Sequence, residues 1–252
     1  MRWLAPLFLV ACTSPLNLFT VEDDLELGRQ VHEEILASPE TYPLVDPAEH
    51  PEAYAHFERI ITPVLNSGDV AHRDDFDWEF YLIDDDVMNA FAAPGGYIYF
   101  YTGLIEFLDR EDALAGVIGH EIAHSAERHT TEQLTRLYGL SLLLDIVLGD
   151  APQVVSDVAL GLSSLSFSRA HEREADEYSV FYLCETDYAA NGAARFFEQL
   201  LEENTTEPPQ FLSTHPASAS RVEDINDLAD DLGCSTSLNP DAEWQAFLAS
   251  LP

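Results

Sequence analysis

The chain has 252 residues, enough to bury a substantial core as one domain, and its 46% hydrophobic content is ordinary for a globular protein. It carries 46 acidic residues against 11 basic ones, a net charge of −35, and every basic residue is Arg. Nucleic acid and anionic lipid surfaces would repel such a chain, so charge-driven binding to either is discounted; the acids run along the whole chain, as a solubility adaptation would place them.

Met1-Arg2 forms a minimal positive start, and Trp3 to Ala11 is an apolar run too short to span a bilayer. The run ends Leu9-Val10-Ala11-Cys12, an order that resembles a bacterial lipobox, in which the Cys becomes the lipidated first residue after cleavage. The expectation is therefore a signal peptide over 1–11 and a lipid-anchor tether over 12–19, with lipidation at Cys12. Thr rather than Asp at position 13 is associated with transfer to the outer membrane in such lipoproteins. An ordinary secretory signal is the alternative, and either way the chain is exported. In an oxidising compartment the remaining cysteines, Cys184 and Cys234, are a candidate disulfide, with two buried thiols as the other reading.

Val21 to Ala37 has a helical apolar pattern and an acidic first turn. A Pro-rich loop over 39–51 leads to a second helix, from about Glu52 to Leu65, with Tyr54, Phe57, Ile60, Ile61 and Leu65 inward. The period then changes. Phe76, Trp78, Phe80 and Leu82 alternate with polar residues and Tyr81, which reads as a half-buried strand. Asp84-Asp85-Asp86 is most simply a solvated turn. Pro94-Gly95-Gly96 signals a turn before Tyr97 to Tyr101, a strongly strand-forming run. The two strands suggest a small antiparallel sheet, one edge of which could take up an extended peptide.

From about Glu111 to Thr130 the chain reads as one helix, with Asp109 at its N-cap. Within it lies Gly119-His120-Glu121-Ile122-Ala123-His124. Residues four apart share a helix face, so His120 and His124 can present two imidazoles to one ion, with Glu121 in reach of a water beside it. A catalytic zinc needs a third protein ligand. Ser168-Arg169-Ala170-His171-Glu172-Arg173-Glu174-Ala175-Asp176 opens a later helix, on which Glu172 and Asp176 share a face. Glu172 completes the ligand set, and Asp176 can hydrogen-bond a ligand imidazole; Glu174 points off that face and ranks as a rival. His129 and His171 read as packing residues. The chain after residue 232 reads as a tail with one short helix around Trp244 to Leu248.

These motifs, with Arg128-His129, Ala93-Pro94-Gly95-Gly96-Tyr97-Ile98-Tyr99 before them and Ser213-Thr214-His215-Pro216 and Arg221 after, resemble the zinc metallopeptidase family of HtpX, BepA and the CaaX prenyl endopeptidase. The resemblance covers roughly residues 20 to 230. It implies an α+β, mainly α-helical fold with a zincin-like core and a small antiparallel sheet beside the HExxH helix, and a metallopeptidase domain over 20–232 with a tail over 233–252. It implies one Zn2+ per chain held by His120, His124 and Glu172, with Glu121 as general base and Asp176 behind the ligands. Arg221 and His215 are its candidates for stabilising the oxyanion, and His215 is also a possible latent fourth ligand. The membrane spans of HtpX-like members and the helical repeats of BepA-like members are not visible here, so the short, lipoprotein or periplasmic kind fits best. The implied function is a zinc endopeptidase of the bacterial envelope. It would sit on the periplasmic side of the outer membrane through a lipid on Cys12 and act on unfolded or misassembled polypeptides. The rival is a latent peptidase serving mainly as a periplasmic chaperone or outer-membrane assembly factor.

Overall fold

Thr20 opens the first helix, α1 (Val21–Leu36), with a capping box: its hydroxyl accepts from the Asp23 backbone N–H at 3.2 Å, and the Asp23 carboxylate accepts from the Thr20 N–H at 2.8 Å. The computed structural model describes residues 16–68, 70–148, 152–202, 209–216, 219–238 and 242–252. The expected signal peptide over 1–11 and the expected lipidation site Cys12 lie outside the described residues. Leu27, Val31 and Ile35, spaced by four, bury one stripe of α1. Helix α2 (Pro51–Leu65) starts on a proline and buries Tyr54, Phe57, Ile60, Ile61 and Leu65, as its period predicts.

The sheet has three strands, β1 (Glu79–Ile83), β2 (Ala90–Ala92) and β3 (Tyr97–Tyr101), in the order β1-β3-β2. It is mixed, which corrects the expected antiparallel sheet: β2 and β3 form an antiparallel hairpin across Pro94–Gly96, whereas β1 lies parallel to β3 on its other side. The chain leaving β1 first makes β2 and only then returns as β3, so β1 and β3 point the same way. Strand β2 is Ala-Phe-Ala and gives almost no alternation to read. Side chains alternate across a strand, and β3 uses both faces: Ile98 and Phe100 enter one apolar core with α2, while Tyr97, Tyr99 and Tyr101 enter a second core with α1.

After α3 (Thr102–Phe107) comes α4 (Glu111–Ala126), buried at every position. It begins after Arg110 with no side-chain cap, so Asp109 is not the cap that the sequence suggested. Its first turn is held instead by long-range partners. Glu111 accepts from Arg59 at 2.5 and 2.9 Å, and the Asp112 carboxylate accepts from the Ala189 N–H at 2.8 Å. The remaining helices are α5 (His129–Leu148), α6 (Pro152–Leu162), α7 (Arg169–Cys184), α8 (Gly192–Glu202), α9 (Gln210–Thr214), α10 (Ala219–Leu232) and α11 (Ala242–Ser250). Helices α7 and α8 clasp α4 on two sides. The crossing with α8 needs glycine on both partners: a Cβ on Gly116 would fall 2.0 Å from the Ala193 nitrogen, and one on Gly192 would fall 2.1 Å from the Asp112 carbonyl oxygen.

Cys184, at the end of α7, is disulfide-bonded to Cys234, with their Cα atoms 5.2 Å apart. Helix α11 buries Trp244 and Phe247 in the core that contains α2, so the expected tail contributes to the domain core. Among the described residues no helix is long and apolar enough to cross a membrane.

Candidate metal centre

The helix carrying His120, Glu121 and His124 does not run on to Thr130 as its sequence suggested. It stops at Ala126, and Arg128 takes a left-handed φ of 61°. That costly conformation is held by contacts to the first helix and the segment before it: Arg128 Nε donates to buried Asp24 at 2.5 Å and Nη2 to the Phe19 carbonyl at 2.7 Å. The turn swings α5 away and brings its first residue, His129, back beneath His124.

Four side chains then meet. His120, His124, Glu172 and His215 each direct one donor atom to a common point, these atoms lie within 4.8 Å of one another, and all four residues are buried. His120 Nε2 is 3.0 Å from His124 Nε2 and 3.3 Å from His215 Nδ1. Glu172 Oε1 is 3.1 Å from His215 Nδ1 and 3.6 Å from His124 Nε2. A tetrahedral ion bound at about 2.0–2.1 Å separates its ligand atoms by roughly 3.3 Å, so these spacings suit one. The donor set fits as well. The outward nitrogens of His120 and His124 face Asp176 at 3.0 Å and His129 at 2.9 Å, which leaves their inward nitrogens to turn lone pairs towards one another, an arrangement that calls for a cation.

Glu121 projects beside this cluster. Its Oε1 is 3.5 Å from His215 Nε2, and neither carboxylate oxygen has a hydrogen-bond partner among the described residues. Burial pushes its carboxyl up to about 8. A fully buried carboxylate without a donor is costly unless a positive charge or a water meets it.

Helix α7 supplies the opposite wall. Ser168 caps it, its hydroxyl accepting from the His171 N–H at 3.2 Å, and the four-residue spacing sets Glu172 and Asp176 on the face towards α4. Asp176 Oδ1 lies 3.0 Å from His120 Nδ1 and so fixes which nitrogen of that ring carries the proton. Burial raises the Asp176 pKa, but the hydrogen bonds from His120 and Arg221 outweigh it and hold the carboxyl below its usual range.

Arg221, on α10, departs from its expected place. Its Nε and Nη2 donate to the two oxygens of Asp176 at 2.6 and 2.7 Å, and Nη1 lies 2.8 Å from Glu172 Oε2 and 3.2 Å from the Pro216 carbonyl. The guanidinium, capped by the Phe197 ring at 4.2 Å, directs all three of its nitrogens to the carboxylates and carbonyl behind the cluster.

His129 and His171, which read in sequence as packing residues, stand behind His124. His129 Nδ1 is 2.9 Å from His124 Nδ1, and His129 Nε2 is 3.3 Å from Glu174, so the rival ligand points to His129 rather than to the cluster. His171 stacks on His129 with ring centroids 4.5 Å apart and reaches Glu132 at 3.2 Å. Phe167 stacks on His124 at 4.2 Å, and Phe211 on His215 at 4.3 Å.

Helix α9 carries His215 into the cluster. The Phe211 N–H donates to the Met88 carbonyl at the start of the β2 edge, and the Phe167 N–H donates to the Thr214 carbonyl, each at 3.1 Å. Beside α10 a cavity of about 640 Å³ opens onto Glu172 and Asp176, with Arg169, Arg173 and Asp224 in its wall.

A family model for peptidase family M48 matches residues 51–229. The mitochondrial metalloendopeptidase OMA1 of Schizosaccharomyces pombe is 30% identical over 186 residues, covering 72% of this chain and 54% of that protein. A putative beta-barrel assembly-enhancing protease of Vibrio cholerae is 34% identical over 166 residues, covering 60% of this chain and 34% of the relative. The beta-barrel assembly-enhancing protease of Escherichia coli K12 is 30% identical over 170 residues, covering 62% and 35%. The chain thus spans between 34% and 54% of the length of these relatives.

Proposed function

The chain belongs to peptidase family M48, and on that premise we propose that it is a zinc endopeptidase cleaving unfolded or misassembled polypeptides in the bacterial envelope. One observation carries the chemistry. Three imidazoles and a carboxylate converge at tetrahedral spacing, with an unpartnered, buried Glu121 at their side. His120, His124 and Glu172 would hold the ion. Zinc bound there would supply Lewis acidity, polarising a scissile carbonyl and acidifying water. Glu121 takes the proton of the attacking water and returns it to the leaving amine, a shuttle that its place beside the cluster allows. Asp176 and Arg221 hold His120 and Glu172 in register. His215 lies where substrate and water need room, which supports a resting state that is latent until α9 shifts. The chaperone reading is not favoured: the relatives compared above are named as proteases or endopeptidases.

Glu121→Gln tests the chemistry. Casein cleavage should fall by about 10²–10⁴-fold while zinc stoichiometry stays at one per chain; unchanged cleavage would remove Glu121 from its role. Placement in the envelope rests on the lipobox-like Leu9 to Cys12. Cys12→Ala should move the protein from the membrane fraction to the soluble fraction, and continued sedimentation with membranes would count against a lipid anchor.

A further inference from the structure

His124 has its own support, separate from the Asp176 carboxylate that holds His120. Its Nε2 faces the cluster, 3.0 Å from His120 Nε2 and 3.6 Å from Glu172 Oε1. With Nε2 presenting its lone pair, the proton of a neutral imidazole sits on Nδ1. That Nδ1 is 2.9 Å from His129 Nδ1, which must then accept, so the proton of His129 sits on Nε2 and points to Glu174 at 3.3 Å. The polarity of the chain is therefore fixed from the cluster outward: His124 donates to His129, and His129 donates to Glu174. The relay ring is clamped by stacking on His171, whose plane lies 13° from its own, and His171 is tied to Glu132. His129 is 1% exposed, while the Glu174 side chain is 47% exposed, so the relay runs from the buried centre to solvent.

Resting on the metallopeptidase reading, we propose that His129 is the positioning residue for metal ligand His124, orienting its ring and raising its basicity, with Glu174 anchoring His129 in turn. The two ligand imidazoles are thus supported unequally. His120 is held by a carboxylate locked to a buried arginine, and His124 by a neutral ring whose anchor is half in water. Loss of His129 leaves the Nδ1–H of His124 buried without an acceptor and frees the ring to turn.

The test is metal affinity, measured on the full chain by chelator competition, with the d–d absorption of the Co2+-substituted protein as a second readout. His129→Phe keeps the ring volume and should weaken zinc by about 10–100-fold and shift the Co2+ bands. His129→Gln, whose carbonyl can accept from His124, should recover part of that loss. Glu174→Ala, at a half-exposed position, should fold and weaken zinc measurably but less than His129→Phe does. It decides the matter if the Phe variant fails to fold. Zinc affinity and Co2+ bands unchanged in Glu174→Ala and in folded His129→Phe would overturn the proposal. Failure of the wild-type chain to bind zinc at all would overturn the metallopeptidase reading with it.

Discussion

The Nδ1 of His215 lies 3.1 Å from Oε1 of Glu172, inside the ring of donors that would surround a metal. His215 is fully buried, and Phe211, one turn earlier on α9, covers it as a stacked ring. A fourth protein ligand competes with substrate and water for the ion. His215→Ala should therefore raise casein cleavage by roughly 10-fold or more if most molecules rest in the closed arrangement. It should also weaken zinc, because one donor is lost. Initial rates at saturating zinc separate these effects. A fall in rate at full metal occupancy would place His215 in the reaction itself and end the latency reading.

The pieces of the centre that share a helix were legible in the sequence. The spacing of His120 to His124 and of Glu172 to Asp176 is fixed by 3.6 residues per turn, and no tertiary information is needed to put each pair on one face. Joining these two helices through Glu172 and Asp176 was legible too, from the ligand count, but the supports behind the cluster were not. His129 follows His124 by five residues, off the helical face, and it reaches that ring only because Arg128 adopts a left-handed φ under an ion pair to Asp24, distant in sequence. The place of Arg221 likewise depends on how α10 packs on α7. The parallel pairing of β1 with β3 escaped because β2, the strand between them in sequence, is only three residues long.

Arg221 balances two buried carboxylates, at 2.6–2.8 Å from Asp176 and Glu172. Replacing it with Gln keeps much of the volume but leaves both acids without their cation. The zinc-free protein should lose about 3–5 kcal/mol of stability, as expected when one partner of a buried ion network is removed. Zinc should restore part of this, since it replaces the missing positive charge at Glu172. Chemical denaturation with and without zinc measures both quantities. A variant as stable as wild type, with full zinc occupancy but reduced turnover, would return Arg221 to the oxyanion role that the family resemblance implied.

The Cys184–Cys234 bridge ties the end of α7 to the end of α10 across a sequence separation of 50. These two helices carry Glu172, Asp176 and Arg221, so the bridge holds one wall of the centre together. Closing a loop of that length restricts the unfolded chain by an amount worth about 4 kcal/mol in the chain-entropy view. Cys184→Ser with Cys234→Ser should lower stability by about 2–5 kcal/mol, and zinc bound to the folded form should partly offset the loss through binding linkage. Equilibrium unfolding of the double variant and of wild type, with zinc held constant, gives the comparison. A double variant as stable as wild type would mean that packing of α7 on α4 and α10 alone fixes this wall.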